Sequence, residues 1–240
     1  MVSLRSVVVA GVSAALVSAA ASAQSVTFFA PLSSNPDFSF VDDTRIESRF
    51  RADANNWDSR LEFDSFPDNG EEQVGVGNGR SFFENQTFGF DLSFDAMTDE
   101  VTWSITAPGG AVTVASQDVG TFGQVNTVQI FTNGSRGSVS LTNLALPGPG
   151  VSLNDADFPS LDTDPGGPTF VETFLFLGNS YDLLSDDFSL SGDLTFGAFT
   201  RNNPSEGSKI TVKLRNGFIP SPGAAATLAL AGLAAVRRRR

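Results

Sequence analysis

The stretch Thr87-Phe88-Gly89-Phe90-Asp91-Leu92-Ser93-Phe94 decides the fold. Phe88, Phe90, Leu92 and Phe94 alternate with Gly89, Asp91 and Ser93, a period of two that sends the bulky side chains to one face of an extended chain and the polar ones to the other. Next comes a short polar connection, Asp95-Ala96-Met97-Thr98-Asp99-Glu100. Val101, Trp103 and Ile105 then alternate with Thr102, Ser104 and Thr106. Two half-buried strands joined this way predict a hairpin, with Trp103 on the apolar, core-facing side.

The same period recurs outward from this hairpin. Phe188, Leu190, Leu194 and Phe196 repeat it around Gly192, and Ile210, Val212 and Leu214 predict a last strand. Val139 and Leu141 change phase to Leu144 and Leu146, which predicts a bulge or turn near Asn143. Pro108-Gly109-Gly110, Pro147-Gly148-Pro149-Gly150 and Pro165-Gly166-Gly167-Pro168 punctuate the runs. No amphipathic helical window of useful length stands between residues 24 and 218. The pattern predicts an all-β domain, an antiparallel β-sandwich of jelly-roll-like kind, over residues 24–218.

Two non-globular segments flank that body. Met1 to Ala23 has an early Arg5, an apolar run from Val7 to Val17 and the small-x-small sequence Ala21-Ser22-Ala23 before Gln24, the ordered parts of a secretory signal peptide (1–23) cleaved between Ala23 and Gln24. At the other end (219–240), Ile219-Pro220-Ser221-Pro222-Gly223 precedes an uncharged run from Ala224 to Val236 and then Arg237, Arg238, Arg239 and Arg240. Guanidinium groups resist crossing a bilayer and halt the export of the chain before them. As a helix the run of 13 residues from 224 to 236 is about 20 Å long, short of the ~30 Å hydrocarbon core. It suits transient inner-membrane insertion better than a durable anchor.

Composition bounds the body. Of 15 basic residues, Arg5 and Arg237 to Arg240 lie in the flanking segments, which leaves 10 against 27 acidic residues and a net charge of −17. Such a body repels nucleic acid and anionic membrane surfaces. Cysteine and histidine are absent, so the exported domain folds without disulfides and lacks the usual general base and commonest metal ligand. Triads built on histidine and His-ligated zinc are excluded. A glycosidase needs only two carboxylates, and Glu62, Asp64, Glu71 and Glu72 are candidates that an acidic surface also supplies by chance. Gly75-Val76-Gly77-Asn78-Gly79 lacks the Lys-Ser/Thr of a phosphate-binding loop and reads as a polar loop. No catalytic residues are expected, and the body reads as a non-enzyme.

Two weaker candidates concern binding. Asp155, Asp157, Asp162 and Asp164 gather oxygen ligands of the kind calcium takes, without the spacing of an EF-hand; an acidic solvated loop is the simpler account. The 22 Phe, two Trp and one Tyr make a poor sugar platform, because Phe has no hydrogen-bonding handle and belongs in cores. Trp57, among Asn55, Asn56, Asp58 and Arg60, is the one candidate ring for a ligand, against a role packing the rim of the core. No cofactor beyond possible calcium is expected.

Taken together, Pro-Ser-Pro-Gly at 220–223, the short Ala/Leu/Gly run and the four terminal arginines resemble the PEP-CTERM sorting signals of Gram-negative-type bacteria. The resemblance implies recognition by an exosortase-type membrane protease after passage through the Sec export machinery, removal of the tail, and delivery to the cell surface or extracellular polymer matrix. Ser221 stands where the usual motif has Glu, a departure that resembles planctomycete-type tails. The body strings Ile46-Glu47-Ser48-Arg49-Phe50, Thr87 to Phe94, Gly137-Ser138-Val139-Ser140-Leu141-Thr142-Asn143-Leu144, Phe188 to Phe196 and Gly207-Ser208-Lys209-Ile210 are similar in order to choice-of-anchor domains, type W among them. That family brings no catalytic residue or ligand with it. The expectation is an exported structural or adhesive surface protein; the alternative is a surface-displayed carbohydrate-binding module, with calcium and an extracellular polysaccharide as its partners.

Overall fold

The structure, a computed structural model, describes residues 26–29, 37–52, 56–63, 70–76, 80–119, 122–135, 137–164, 169–199 and 207–220. Among them thirteen strands run in order: β1 (Thr27–Phe29), β2 (Ser39–Ala52), β3 (Asn56–Phe63), β4 (Gly70–Val76), β5 (Gln86–Asp95), β6 (Glu100–Thr106), β7 (Val112–Asp118), β8 (Thr127–Asn133), β9 (Val139–Gly148), β10 (Val151–Asn154), β11 (Phe170–Phe176), β12 (Phe188–Phe196) and β13 (Ser208–Phe218). A single turn of helix, α1 (Arg80–Phe83), precedes β5.

The strands form two antiparallel sheets, a seven-stranded one ordered β1-β11-β8-β13-β2-β3-β4 and a six-stranded one ordered β10-β9-β12-β5-β6-β7. Eight of these strands pair as a nest, outermost to innermost: β2 with β13, β5 with β12, β8 with β11, β9 with β10. β13 also pairs with β8 and β12 with β9, which closes the nest into two four-stranded layers. This is the connectivity of a jelly roll, two Greek keys folded over one core. The hairpin β3–β4 extends one layer and β6–β7 the other, while β1 adds an edge beside β11.

The expected hairpin is β5–β6, with Phe90 opposite Ile105 and Leu92 opposite Trp103. Trp103 is fully buried, and its Nε1 donates to Ser59 Oγ of β3 at 3.1 Å, joining the two sheets through the core. An indole N–H left without a partner there would carry a desolvation cost of about 1–3 kcal/mol. Ile46 and Phe50 of β2, Val128 and Ile130 of β8, and Ile210, Val212 and Leu214 of β13 face the same core.

The phase change in β9 is a bulge. Thr142 pairs with Asp193 and Ala145 with Ser191, so Asn143 and Leu144 face the single residue Gly192, and Asn143 takes a left-handed φ of 55°. Glycine is needed opposite, because a Cβ at 192 would stand 2.9 Å from Leu144 Cδ2 and 3.0 Å from the Phe90 ring. Two expectations are corrected. Pro147 and Gly148 belong to β9, and only Pro149 and Gly150 make the turn, with Gly150 at φ 67°. Gly75 and Val76, read as loop, end strand β4, whose pairing with β3 holds them extended; residues 77–79 lie outside the described residues.

A second apolar cluster sits on the outside of the seven-stranded sheet. Phe174 and Phe176 of β11 point away from the main core and are covered by Phe29 of β1 and Phe38, with Phe40 and Ile219 at its margin. Phe29 stacks on Phe174 at 5.4 Å between ring centroids.

Candidate functional site

Three places in the fold hold the residues with functional potential. The first is an apolar cavity of about 140 Å³ at one end of the sandwich. β2 supplies Phe50, β3 supplies Trp57, α1 supplies Phe82 and Phe83, and β5 supplies Phe88. Trp57 is half-buried and tilted 50° against Phe50 at 6.1 Å, while Phe83 and Phe88 stack at 5.7 Å. The Trp57 ring is therefore packed at the rim of the core. Among the described residues no charged side chain lines the space, which matches an apolar group the size of one ring.

The second place is the aspartate loop. Asp155 and Asp157 form a single 3₁₀ turn capped by Asn154, whose Oδ1 accepts from Ala156 N at 3.2 Å while Asp157 Oδ2 accepts from Asn154 N at 2.9 Å. Asp155 Oδ1 accepts from Leu144 N at 2.9 Å, which satisfies an N–H at the β9 bulge. Asp162 accepts from Ser140 Oγ at 2.7 Å and Leu141 N at 3.2 Å, and Asp164 is exposed. The carboxylates of Asp155, Asp157 and Asp162 are thus engaged in closing turns and strand ends. Among the described residues, no group of three or more acidic side chains converges as a metal site would need.

The third place is the outer face of the seven-stranded sheet. On β2 and β13 the residues that alternate with the core are Arg45, Glu47, Arg49, Arg51, Lys209, Lys213 and Arg215; β3 adds Asp58, Arg60 and Glu62. Asp58 is almost fully buried, with Arg49 on its Oδ1 at 3.0 Å and Arg51 ion-paired to Oδ2. Arg60 pairs with Glu62 at 2.7 Å, and Glu47 takes Arg45 at 3.2 Å and Lys213 at 2.9 Å. Lys209 and Lys213 lie over the Phe131 ring at 5.4 and 5.8 Å, and Arg215 lies over Phe40 at 3.4 Å. Glu62, a candidate acid or base by sequence, is a structural ion-pair partner here; Glu71 and Glu72 sit on β4 opposite Leu61 and Arg60, and Asp64 lies outside the described residues.

Sequence reasoning missed this face, although its signal was present. Arg45, Arg49, Arg51, Lys209, Lys213 and Arg215 all occupy odd positions, a charged period-two comb interleaved with the apolar one.

The exit of the body is held by two asparagines. Asn126, fully buried, accepts from Gly217 N at 2.7 Å and donates to Gly217 O at 2.9 Å. Asn179 accepts from Ile219 N at 2.9 Å and donates to Ile219 O at 2.6 Å. Each side chain reproduces the paired bonds of a neighbouring strand. Gly217 admits no Cβ, which would stand 2.4 Å from Thr127 Oγ1 and 2.5 Å from the Phe38 ring. The adjoining loop places Tyr181, whose hydroxyl donates to Pro149 O at 2.6 Å; burial, and then the charge of Asp182, push its phenol from 10.0 up to about 12.

Of the sorting-signal residues, Ile219 is half-buried and Pro220 exposed. Ser221, Pro222, Gly223, residues 224–236 and Arg237, Arg238, Arg239 and Arg240 lie outside the described residues, as do the signal peptide and Ala21, Ala23 and Gln24. Among the described residues no helix is long and apolar enough to cross a membrane. Fold and surfaces together define an all-β jelly-roll sandwich. Compared with known proteins, the chain matches no protein-family model and no curated protein.

Proposed function

We propose that this chain is an exported, non-catalytic structural or adhesive component of the cell surface or extracellular matrix, whose tail at 219–240 is read and removed by an exosortase-type protease. The observation that carries the reading is the position of the body's last anchored residue. The sandwich ends at Phe218, and Ile219, held by Asn179, is the first residue of the tail signal. Removal of residues 221–240 would leave every described strand of the sandwich intact. Mass spectrometry of the protein recovered from its native cell surface tests this: a C-terminus within residues 219–236 is the expected result, and an intact Arg240 overturns it.

A second reading, a carbohydrate-binding module, draws on the aromatic cavity at Trp57. There the apolar face of one sugar ring would take the place of a core side chain. Saturable binding on a glycan array that is lost in Trp57→Ala would favour it over the structural role.

A further inference from the structure

We infer that copies of this protein associate face to face, the outer face of the seven-stranded sheet of one copy docking on the outer face of the six-stranded sheet of the next. The distribution of charge across the sandwich points to this, whether or not the tail is cut.

Seven of the 10 basic residues between the flanking signals stand on one face of one sheet. The acidic side chains described there are Glu47, Asp58, Glu62 and Glu172, which leaves the described part of that face net positive within a body of −17. None of the six strands of the opposite sheet contains Lys or Arg. Its outward positions are Thr87, Asp91, Ser93, Thr102, Ser104, Ser189, Asp193 and Thr195, with Asp95, Glu100 and Asp118 at one end. Among the described side chains, the two outer faces carry net charge of opposite sign.

Fold stability alone would not choose this arrangement. Lys209 lies directly opposite Arg51, Arg215 opposite Arg45, and Arg49 opposite Arg60. Like charges directly across a sheet are destabilising, and Asp58, Glu62 and Glu47 make ion pairs among them. A partner that brings carboxylates to this face adds to those pairs. Each face also carries apolar contact area: Phe170 is 49% exposed and packs on Phe131 at 5.2 Å beside the lysines, and Val112 and Val114 are exposed on β7 of the acidic face.

With β1 and β11 largely under the outer cluster, the five strands from β4 to β8 in sheet order, about 4.8 Å apart with rungs of about seven residues, make a face of roughly 550 Å², the size of a weak, reversible interface. Because the two docking patches are different and lie on opposite sides of the sandwich, the contact is heterologous and does not close, so it propagates as a stack. Ion pairs make it sensitive to salt.

The test uses the full chain in a mild non-ionic detergent, which masks its apolar ends, with mass followed by sedimentation. Assemblies should grow with concentration at about 0.01 M salt, and association should weaken at least about tenfold at about 1 M, where the Debye length falls to ~3 Å. The pair Lys209→Glu with Lys213→Glu and the pair Asp118→Lys with Asp193→Lys should each abolish self-association, and mixing the two variants should restore a one-to-one complex. If a reversal unfolds the chain by circular dichroism, Lys209→Gln with Phe170→Ser serves in its place and should reduce association at least fivefold. A wild-type chain that stays monomeric at low salt overturns the inference, as does association that survives 1 M salt or a mixture of the reversed variants that fails to pair. Monomeric protein that instead binds alginate would assign the basic face to an anionic polysaccharide, and that too overturns it.

Discussion

The two apolar clusters of this protein are built from the same residue types and held in different ways. The main core lies between two sheets, with Trp103, Phe88 and Phe196 enclosed on both sides by strands. The outer cluster of Phe29, Phe38, Phe174 and Phe176 lies on one face of one sheet, where Phe29 of the edge strand β1 stands directly opposite Phe174 and Phe38, just before β2, packs against Phe29, Phe174 and Phe176 as the roof. Core side chains held by two sheets cannot relax when a neighbour is removed; a cluster under one short segment can settle. Burial alone therefore does not rank them, since Trp103 and Phe174 are both fully buried.

Truncating one residue in each cluster separates the two most strongly. Trp103→Ala empties the largest buried side chain and strands the Ser59 hydroxyl, and should cost about 4–5 kcal/mol in denaturant unfolding. Phe174→Ala should cost about 3 kcal/mol, because the roof collapses toward the gap. An equal or larger loss at Phe174 would show the roof to be as rigid as a second sheet.

Asn126 links the two regions, since it lies beside the core and fixes Gly217 next to the outer cluster. Asn126→Ala leaves the N–H and C=O of Gly217 buried without partners, a loss of about 2–4 kcal/mol, with faster amide exchange at Gly217 and Ile219. Unchanged exchange there would mean the exit is held by the Ile219 contacts alone.

The smallest effect concerns Tyr181. Its phenol binds its proton more tightly in the folded chain (about 12) than in an unfolded one (10.0), so its contribution is complete below pH 10 and disappears as pH rises toward 12. Between those values stability should fall with pH, and Tyr181→Phe should flatten that slope in thermal melts. A slope unaltered by the substitution would place the alkaline sensitivity elsewhere.

The difference between the two clusters also explains which strands were legible in the sequence. Strands with one face in the core and one in water, such as Phe88 to Phe94 and Ile210 to Leu214, alternate cleanly and were read directly. β11, Phe170-Val171-Glu172-Thr173-Phe174-Leu175-Phe176, was not, because the outer cluster buries its second face and the alternation is lost where Phe174, Leu175 and Phe176 run together. β8 was hidden for a related reason: Thr127, Gln129 and Thr132 are buried polar residues whose surroundings only the fold supplies. Trp103 declared its place by sharing the phase of Val101 and Ile105. Trp57 did not, because the Phe82, Phe83 and Phe88 rings that line the space beside it come from more distant segments. The aspartates were visible as residues, yet their engagement by Leu144 and Leu141 N–H groups depends on a bulge and a strand end that composition does not display.

β13 is the last strand among the described residues and the central strand of the seven-stranded sheet, with β8 on one side and β2 on the other. Until residues 208–218 arrive, that sheet is two separate fragments, each with an open edge. A chain leaving a ribosome or a translocation pore therefore cannot fold progressively from its N-terminus. It must stay unlocked through nearly its whole length and close around its final strand, a long-range step of the kind that makes β-topologies slow. The waiting edges of β2 and β8 are the sites where another unfinished copy could pair, so the interval before β13 inserts is when this protein is most exposed to misassembly.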